Sequence, residues 1–221
     1  MPEKRGLFIV FEGIDGSGKT SQIDYLAQAI RAANKYQDVL MTREPTWRAE
    51  ELRRQLDTNR DPFSEGEKMA ELFVKDRRLH TYGQIIPALG QREIVICDRY
   101  ALSTCAYQSA QGVTLDNLLG LHEAAATLRP DMTFFIQVPQ EVAETRMVSR
   151  GQPKEKFEGN REFTQKLIGQ YLQIQRETAT QGRANQVLGD IYIIDGAKER
   201  QDVADAVKAV ALPIYQGWLK S

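Results

Sequence analysis

The apolar positions of this chain fall into five short runs separated by long stretches of helical period. The runs cover 6–12, 39–43, 93–98, 132–138 and 191–195, and the helical patterns cover 19–33, 64–89, 114–128, 140–149, 161–182 and 199–220. In LFIVFE, EIVICD, MTFFIQV and IYIID the apolar residues are continuous rather than alternating. Strands of that kind are buried on both faces, as interior strands of a parallel sheet are. Strands alternating with helices predict an α/β fold, with a five-stranded parallel sheet flanked by helices. No internal repeat, low-complexity tract or Gly/Pro/Ser-rich linker divides the chain, so the expectation is one domain over 1–221.

Two charged segments interrupt this rhythm. Over 46–63 (TWRAEELRRQLDTNRDPF) helix formers run into Asn-Arg-Asp-Pro, which predicts a short surface helix followed by a turn. The run RGQPKEKFEG, 150–159, carries Gly and Pro among charges between two helices and reads as an exposed, mobile flap.

With 221 residues, 42% of them hydrophobic, the chain has material for one sizeable core. Its 29 basic and 30 acidic residues give a net charge of -1, so no overall cationic field draws it to nucleic acid or to an anionic membrane. No apolar run approaches the roughly 20 residues of a membrane span, and the first run meets Glu12 too early for a signal-peptide core. A soluble, cytoplasmic protein is expected. Cys97 and Cys105, at no zinc or redox spacing, read as two buried free thiols suited to a reducing compartment.

The chemistry begins at Gly13-Ile14-Asp15-Gly16-Ser17-Gly18-Lys19-Thr20, a full G-x-x-x-x-G-K-T directly after a strand and before a helix. Glycines let consecutive N–H groups turn inward onto phosphate oxygens, and the helix start adds its positive end. Lys19 then bridges the outer phosphates and Thr20 offers its hydroxyl to Mg²⁺. A nucleoside triphosphate site follows, but not which kind. The N-K-x-D base reader of a GTPase is missing: the only Asn-Lys pair, Asn34-Lys35, runs into Tyr36-Gln37.

A second cluster lies at other strand ends. Asp98-Arg99-Tyr100 closes the third run and Arg43-Glu44-Pro45 the second, at the carboxyl edge where ligand crevices of α/β sheets open. Asp98 suits Mg²⁺, and Arg99 and Arg43 suit phosphate oxygens. Two arginines here point to a second anion besides the triphosphate.

FIVFEGIDGSGKTSQ, TREP, DRYALSTCAYQ and RPDMTFFIQV, in this order over essentially the whole chain, resemble the thymidylate kinases. The resemblance implies a P-loop kinase fold with a mobile lid at about 146–163, and transfer of phosphate from ATP to dTMP with Mg²⁺. It implies that Asp15 approaches the sugar 3′-hydroxyl and that Arg43 and Arg99 clamp the 5′-phosphate. Phe73 stacks on the base and Arg77 reads it, four residues apart on one helix face. In Ser103–Gln108, Tyr107 lies near the sugar 2′ position, excluding a hydroxyl there, and Gln108 near base or sugar, with Ser103 beside them. Arg146 joins the ATP site. The family is commonly dimeric, and 64–89 is the helix to pair with its copy.

The match departs in three places. Thr46-Trp47-Arg48 stands where Gly-Gly-Thr is frequent, and Gln137-Val138 where Asp-Val is common. The phosphate loop has Gly16 after Asp15, so the transition-state cation is expected from the lid, where Glu155 occupies the usual arginine position. Arg150 is the candidate, assisted by Lys154 or Lys156. Three alternatives stay open. One is a kinase of another pyrimidine deoxynucleoside monophosphate. Another is a deoxynucleoside kinase with Glu12 as base, and the third is a nucleotide-dependent switch or binding protein.

Overall fold

The computed structural model describes residues 5–59, 61–149 and 160–220. Five strands, β1 (Phe8–Glu12), β2 (Val39–Arg43), β3 (Ile94–Asp98), β4 (Met132–Gln137) and β5 (Ile191–Asp195), form one all-parallel sheet in the order β2-β3-β1-β4-β5. The helices are α1 (Lys19–Ala33), α2 (Glu50–Thr58), α3 (Gly66–His80), α4 (Ile86–Gly90), α5 (Ala101–Ala110), α6 (Leu115–Ala124), α7 (Gln140–Ser149), α8 (Arg161–Thr178), α9 (Arg183–Leu188) and α10 (Arg200–Lys220).

Continuous apolar strands arise because both faces of the sheet carry a core. In β1, Phe8 and Val10 face one cluster with α5 and α8, while Ile9 and Phe11 face the other with α1 and α10. β3 divides likewise, Val95 and Cys97 to one side and Ile94 and Ile96 to the other. The period of two is masked in the sequence because each side of the strand is dry. Burial on both faces holds for β1, β3 and β4 but not for β2 and β5, the edge strands, where Met41 and Ile193 are exposed.

The pattern over 64–89 is not one regular α-helix. Between α3 and α4, residues 81–85 widen into a π turn in which the Ile86 N–H reaches Thr81 O. Pro87 follows at once. It has no N–H to donate and its ring crowds the carbonyl one turn back, so a wider turn lets the chain pass it. α5, not expected from the pattern, shows no period because every residue in it except Ser109 is buried. α8 ends at Thr178, and the last part of the 161–182 pattern gives a turn before α9. α2 forms as expected over part of 46–63. Both cysteines are buried free thiols, with burial raising Cys105 to about 12, so neither is reactive. Among the described residues, no helix is long and apolar enough to cross a membrane.

Candidate active site

Sheet order turns at β1: the chain leaves it for the β2 edge, returns through β3, and then crosses to β4 on the other side. A crevice opens at the carboxyl end of the strand where order reverses, and the loop 13–18 lies there. Its shape depends on glycine at two points. Gly13 (φ 141°) and Gly16 (φ 81°) hold backbone angles costly for other residues, and a Cβ would come within 2.7 Å of Ile136 O and 2.5 Å of Ala143 O. The loop therefore rests on β4 and α7. Lys19 folds back under it, Nζ donating to Gly13 O (3.0 Å) and Ile14 O (3.1 Å) and lying 3.7 Å from Asp15 Oδ1. Burial, and after it the Arg99 charge, holds this ammonium below the usual lysine value. α1 starts at Lys19 with no side-chain cap and no acidic residue in its first turn. Its leading N–H groups are thus left for an anion. The buried Ser17 Oγ likewise has no hydrogen-bond partner among the described residues.

Arg99 is brought to this loop by the turn after β3. It takes a left-handed backbone (φ 67°), its N–H donating to Phe11 O at 2.9 Å. Its guanidinium donates to Asp15 Oδ1 (2.6 Å) and Ser103 Oγ (3.2 Å) and lies over the Tyr107 ring, 5.4 Å from the centroid. Asp15 of the phosphate loop and Arg99, Ser103 and Tyr107 of the DRYALSTCAYQ run, two motif stretches far apart in the chain, thus meet in one place.

Arg43 stands opposite Asp98 in the β2–β3 register. Both line a cleft of about 500 Å³ with Thr20, Thr46, Trp47 and Arg48. Arg43 is exposed there. Asp98 Oδ1 is buried without a hydrogen-bond partner among the described residues, which an oxygen-seeking cation would supply. No group of three or more His, Cys, Asp or Glu that could hold a metal ion exists among the described residues. Thr20 and Asp98 are therefore a sparse set that fits Mg²⁺, an ion that keeps several waters and takes its other oxygens from phosphate. Trp47 and Arg48 sit at the cleft rim, Trp47 72% exposed with the Arg48 guanidinium 5.1 Å from its ring centroid.

Glu12 is 0% exposed. Its Oε1 accepts from Tyr100 N (2.8 Å) and Ser103 N (3.0 Å), and its Oε2 accepts from Ser103 Oγ (2.5 Å) and Tyr171 Oη (3.4 Å). The carboxyl group satisfies N–H groups of the first turn of α5, and burial raises its pKa. It is enclosed by protein donors, which places it out of reach of a neutral acceptor hydroxyl.

Phe73 is half-buried and Arg77 lies one turn on in α3. Arg77 is not open to solvent: at 1% exposure it pairs with Glu44 Oε2 (2.7 Å) and stacks on Tyr100. Gln108 is fully buried too, Nε2 donating to Gln111 Oε1 at 3.0 Å and Oε1 unpaired among the described residues. Arg146, at the end of α7, donates to Gly196 O (2.9 Å) and Ser17 O (3.4 Å). It lines a second cleft of about 480 Å³ with Gly18, Gly196, Ala197 and Lys198, beside the phosphate loop. Arg150, Lys154, Glu155 and Lys156 of the expected flap lie outside the described residues.

Two residues at the site were not singled out from sequence. Tyr171 of α8 hydrogen-bonds Ser103 Oγ at 3.0 Å, and His80 of α3 binds Glu44 Oε1 at 3.0 Å. Neither sits in a motif. The only sequence signal for His80 is its place one turn after Arg77.

Residues 11–191 match the family model described as thymidylate kinase. A thymidylate kinase of Ruegeria pomeroyi is 38% identical over 212 residues, 94% of this chain and 95% of that one. One from Cupriavidus taiwanensis is 35% identical over 215 residues, 95% of this chain and 100% of that one. A protein named probable thymidylate kinase in Pyrococcus abyssi is 37% identical over 176 residues, covering 77% and 83%. Motif order, a phosphate loop joined to the Arg99 turn, and likeness over nearly the full length agree, and the chain belongs to the thymidylate kinase family.

Proposed function

We propose that this chain, as one thymidylate-kinase-like domain over 1–221 with a lid at about 146–163, transfers the γ-phosphoryl group of ATP to dTMP. The products are ADP and dTDP, on the way to dTTP. The observation that carries this reading is the 2.6 Å pairing of Asp15 with Arg99. It puts an arginine and a carboxylate, suited to an acceptor's phosphate and sugar hydroxyl, directly against a loop built for the donor's phosphates.

An oxygen of the dTMP phosphate attacks the γ-phosphorus as the bond to the β-phosphate oxygen breaks, and no covalent intermediate on protein is needed. The protein's task is to hold two anions in line and neutralise the charge between them. Residues Gly13–Thr20 hold the donor phosphates on backbone N–H groups, and Lys19 spans them. Arg146 and the 480 Å³ cleft beside Gly18 suit the donor's nucleoside end. Arg99 and Arg43 grip the acceptor phosphate, Asp15 the 3′-hydroxyl, and Tyr107 with Ser103 the sugar. Phe73 and Arg77 hold the base, with Gln108 near base or sugar. Bound Mg²⁺, held by Thr20 and Asp98, would offset phosphate charge. Arg150, with Lys154 or Lys156, completes the charge balance on lid closure.

A dimer formed through α3 and α4 is supported by exposed Leu79, Tyr82 and Ile86 along that helical pair, and a cytoplasmic location by the two free thiols. The test is ADP release with ATP and a panel of acceptors. Turnover with dTMP well above that with thymidine, dCMP or dAMP supports the reading. Turnover with thymidine but not dTMP, or ATP hydrolysis indifferent to acceptor, refutes it.

A further inference from the structure

The end of β2 and the last turns of α3 are stitched together by buried polar groups that the reading above leaves without a task. Thr42 Oγ1 lies 2.8 Å from His80 Nε2, and His80 Nδ1 lies 3.0 Å from Glu44 Oε1. Glu44 Oε2 lies 2.7 Å from Arg77 Nη2. One turn back, Asp76 accepts from Thr46 N (2.8 Å) and Thr46 Oγ1 (2.5 Å). The side chains of Arg77, Glu44 and His80 are at most 2% exposed.

A buried ion pair is a poor choice for stability alone, because desolvating two charges offsets most of their attraction. Its use is to fix geometry. Here the geometry has a visible remainder: Arg77 Nε and Nη1 are buried with no hydrogen-bond partner among the described residues. Buried donors are seldom left unpaired without a reason. With Nη2 held by Glu44, these donors are the ones left for a ligand, and donors demand an acceptor. Glu44 only accepts, so His80 donates from Nδ1. Nε2 meets Thr42 Oγ1, so both ring nitrogens are occupied. The ring therefore cannot turn without breaking one bond, and the carboxylate cannot turn without losing the ring.

We propose that Glu44, braced by His80 and Thr42, is a positioning and specificity-determining residue. It orients Arg77 so that the free guanidinium donors select a pyrimidine with a carbonyl at the edge they face and reject one with an amino group there. The inference rests on the reading of Arg77 as the base contact, and it adds the element that decides which of its donors that base meets. It also explains why the arrangement spans two elements. Thr42, Arg43 and Glu44 are consecutive in the chain, so the same stitching holds the strand end that presents Arg43 at a set distance from Arg77. That fixes the span between phosphate grip and base contact.

The experiment compares the intact wild-type enzyme with Glu44→Gln, His80→Gln and Thr42→Val, using dTMP and dCMP as acceptors at saturating ATP. Wild type comes first: absence of dTMP-dependent ADP release would sink the functional reading itself, before the variants are considered. Given wild-type turnover, Glu44→Gln is expected to raise the KM for dTMP about 10- to 100-fold and to lower the dTMP over dCMP preference at least about tenfold. The KM for ATP and the kcat at saturating dTMP should stay within about threefold. His80→Gln should move the same two quantities by about three- to tenfold and Thr42→Val by less. A purely structural role would instead lower kcat for every acceptor through a smaller folded fraction, with KM and preference unchanged, and that pattern overturns the proposal. Should Glu44→Gln not fold, the His80→Gln and Thr42→Val ratios decide alone. An unaltered dTMP over dCMP preference in both overturns it.

Discussion

Glu12 allows a decisive perturbation, because two opposed roles for it predict different results from the same two variants. In the structure its Oε1 is the acceptor for two backbone N–H groups of the first turn of α5, with no water access. Glu12→Ala strands both. An unsatisfied buried donor costs about 1–3 kcal/mol, so the pair costs roughly 2–6 kcal/mol, a large part of the roughly 5–15 kcal/mol that holds a domain folded. At about 2–4 °C per kcal/mol for a chain of this size, melting should fall by on the order of 5–20 °C. Because α5 carries Ser103 and Tyr107 and follows directly on Arg99, turnover should fall with it. Glu12→Gln keeps a carbonyl for both N–H groups and offers its amide to the hydroxyls of Ser103 and Tyr171, which can turn to accept. Its cost should be about 1 kcal/mol, with turnover on dTMP within about tenfold of wild type. A general base would behave otherwise, since glutamine cannot take a proton and roughly 10²–10⁴ in rate would go. Differential scanning fluorimetry with a coupled ADP assay measures both quantities. A glutamine variant that melts with wild type yet loses a hundredfold in turnover would refute the capping role of Glu12.

The same residue predicts a pH dependence. Burial holds the Glu12 carboxyl above its ordinary 4.5, so the folded state binds its proton more tightly than the unfolded chain. Its contribution is whole below about pH 4.5 and is lost as pH rises through the raised native value. In urea unfolding, the stability of wild type relative to Glu12→Gln should therefore decline from about pH 4.5 upward, and a flat difference would contradict the raised value. Lys19→Ala should lower kcat by roughly 10²–10³ or more, whereas Arg43→Ala should raise the KM for dTMP about 10- to 100-fold and leave that for ATP alone. Unchanged acceptor kinetics would remove Arg43 from the phosphate grip. Gly16→Ala adds a Cβ 2.5 Å from Ala143 O at a φ of 81°. It should cost about 1–3 kcal/mol and weaken ATP binding, read by thermal shift with and without nucleotide. Equal ATP shifts in both proteins would mean that the loop does not need its seat on α7.

Much of this protein was legible in its order of residues. Five strand positions, their parallel pairing and the loop at Gly13–Thr20 all follow from local pattern. A buried parallel strand must be apolar throughout, and a backbone that wraps phosphate must contain glycine at fixed steps. Asp15, Arg99, Ser103 and Tyr107 were each nameable from motif, but their meeting depends on Arg99 taking a left-handed turn hooked to Phe11, which no spacing discloses. α5 was invisible because a helix buried on every side has no polar face to set a period. The π turn before Pro87 and the exposure of the edge strands were equally beyond local pattern, since each is decided by what packs alongside.

The charged residues divide most clearly. Sequence supplied Glu12, Glu44, Arg77 and His80 as letters of ordinary polar type, and even placed Arg77 on a helix face. Only the tertiary structure decided that Glu12 closes the start of a helix and that Glu44 stands between an arginine and a histidine with almost no water present. The physical reason is that a strand or helix is chosen by interactions a few residues apart. The work a buried charge does is set by the partner brought to it across the sheet.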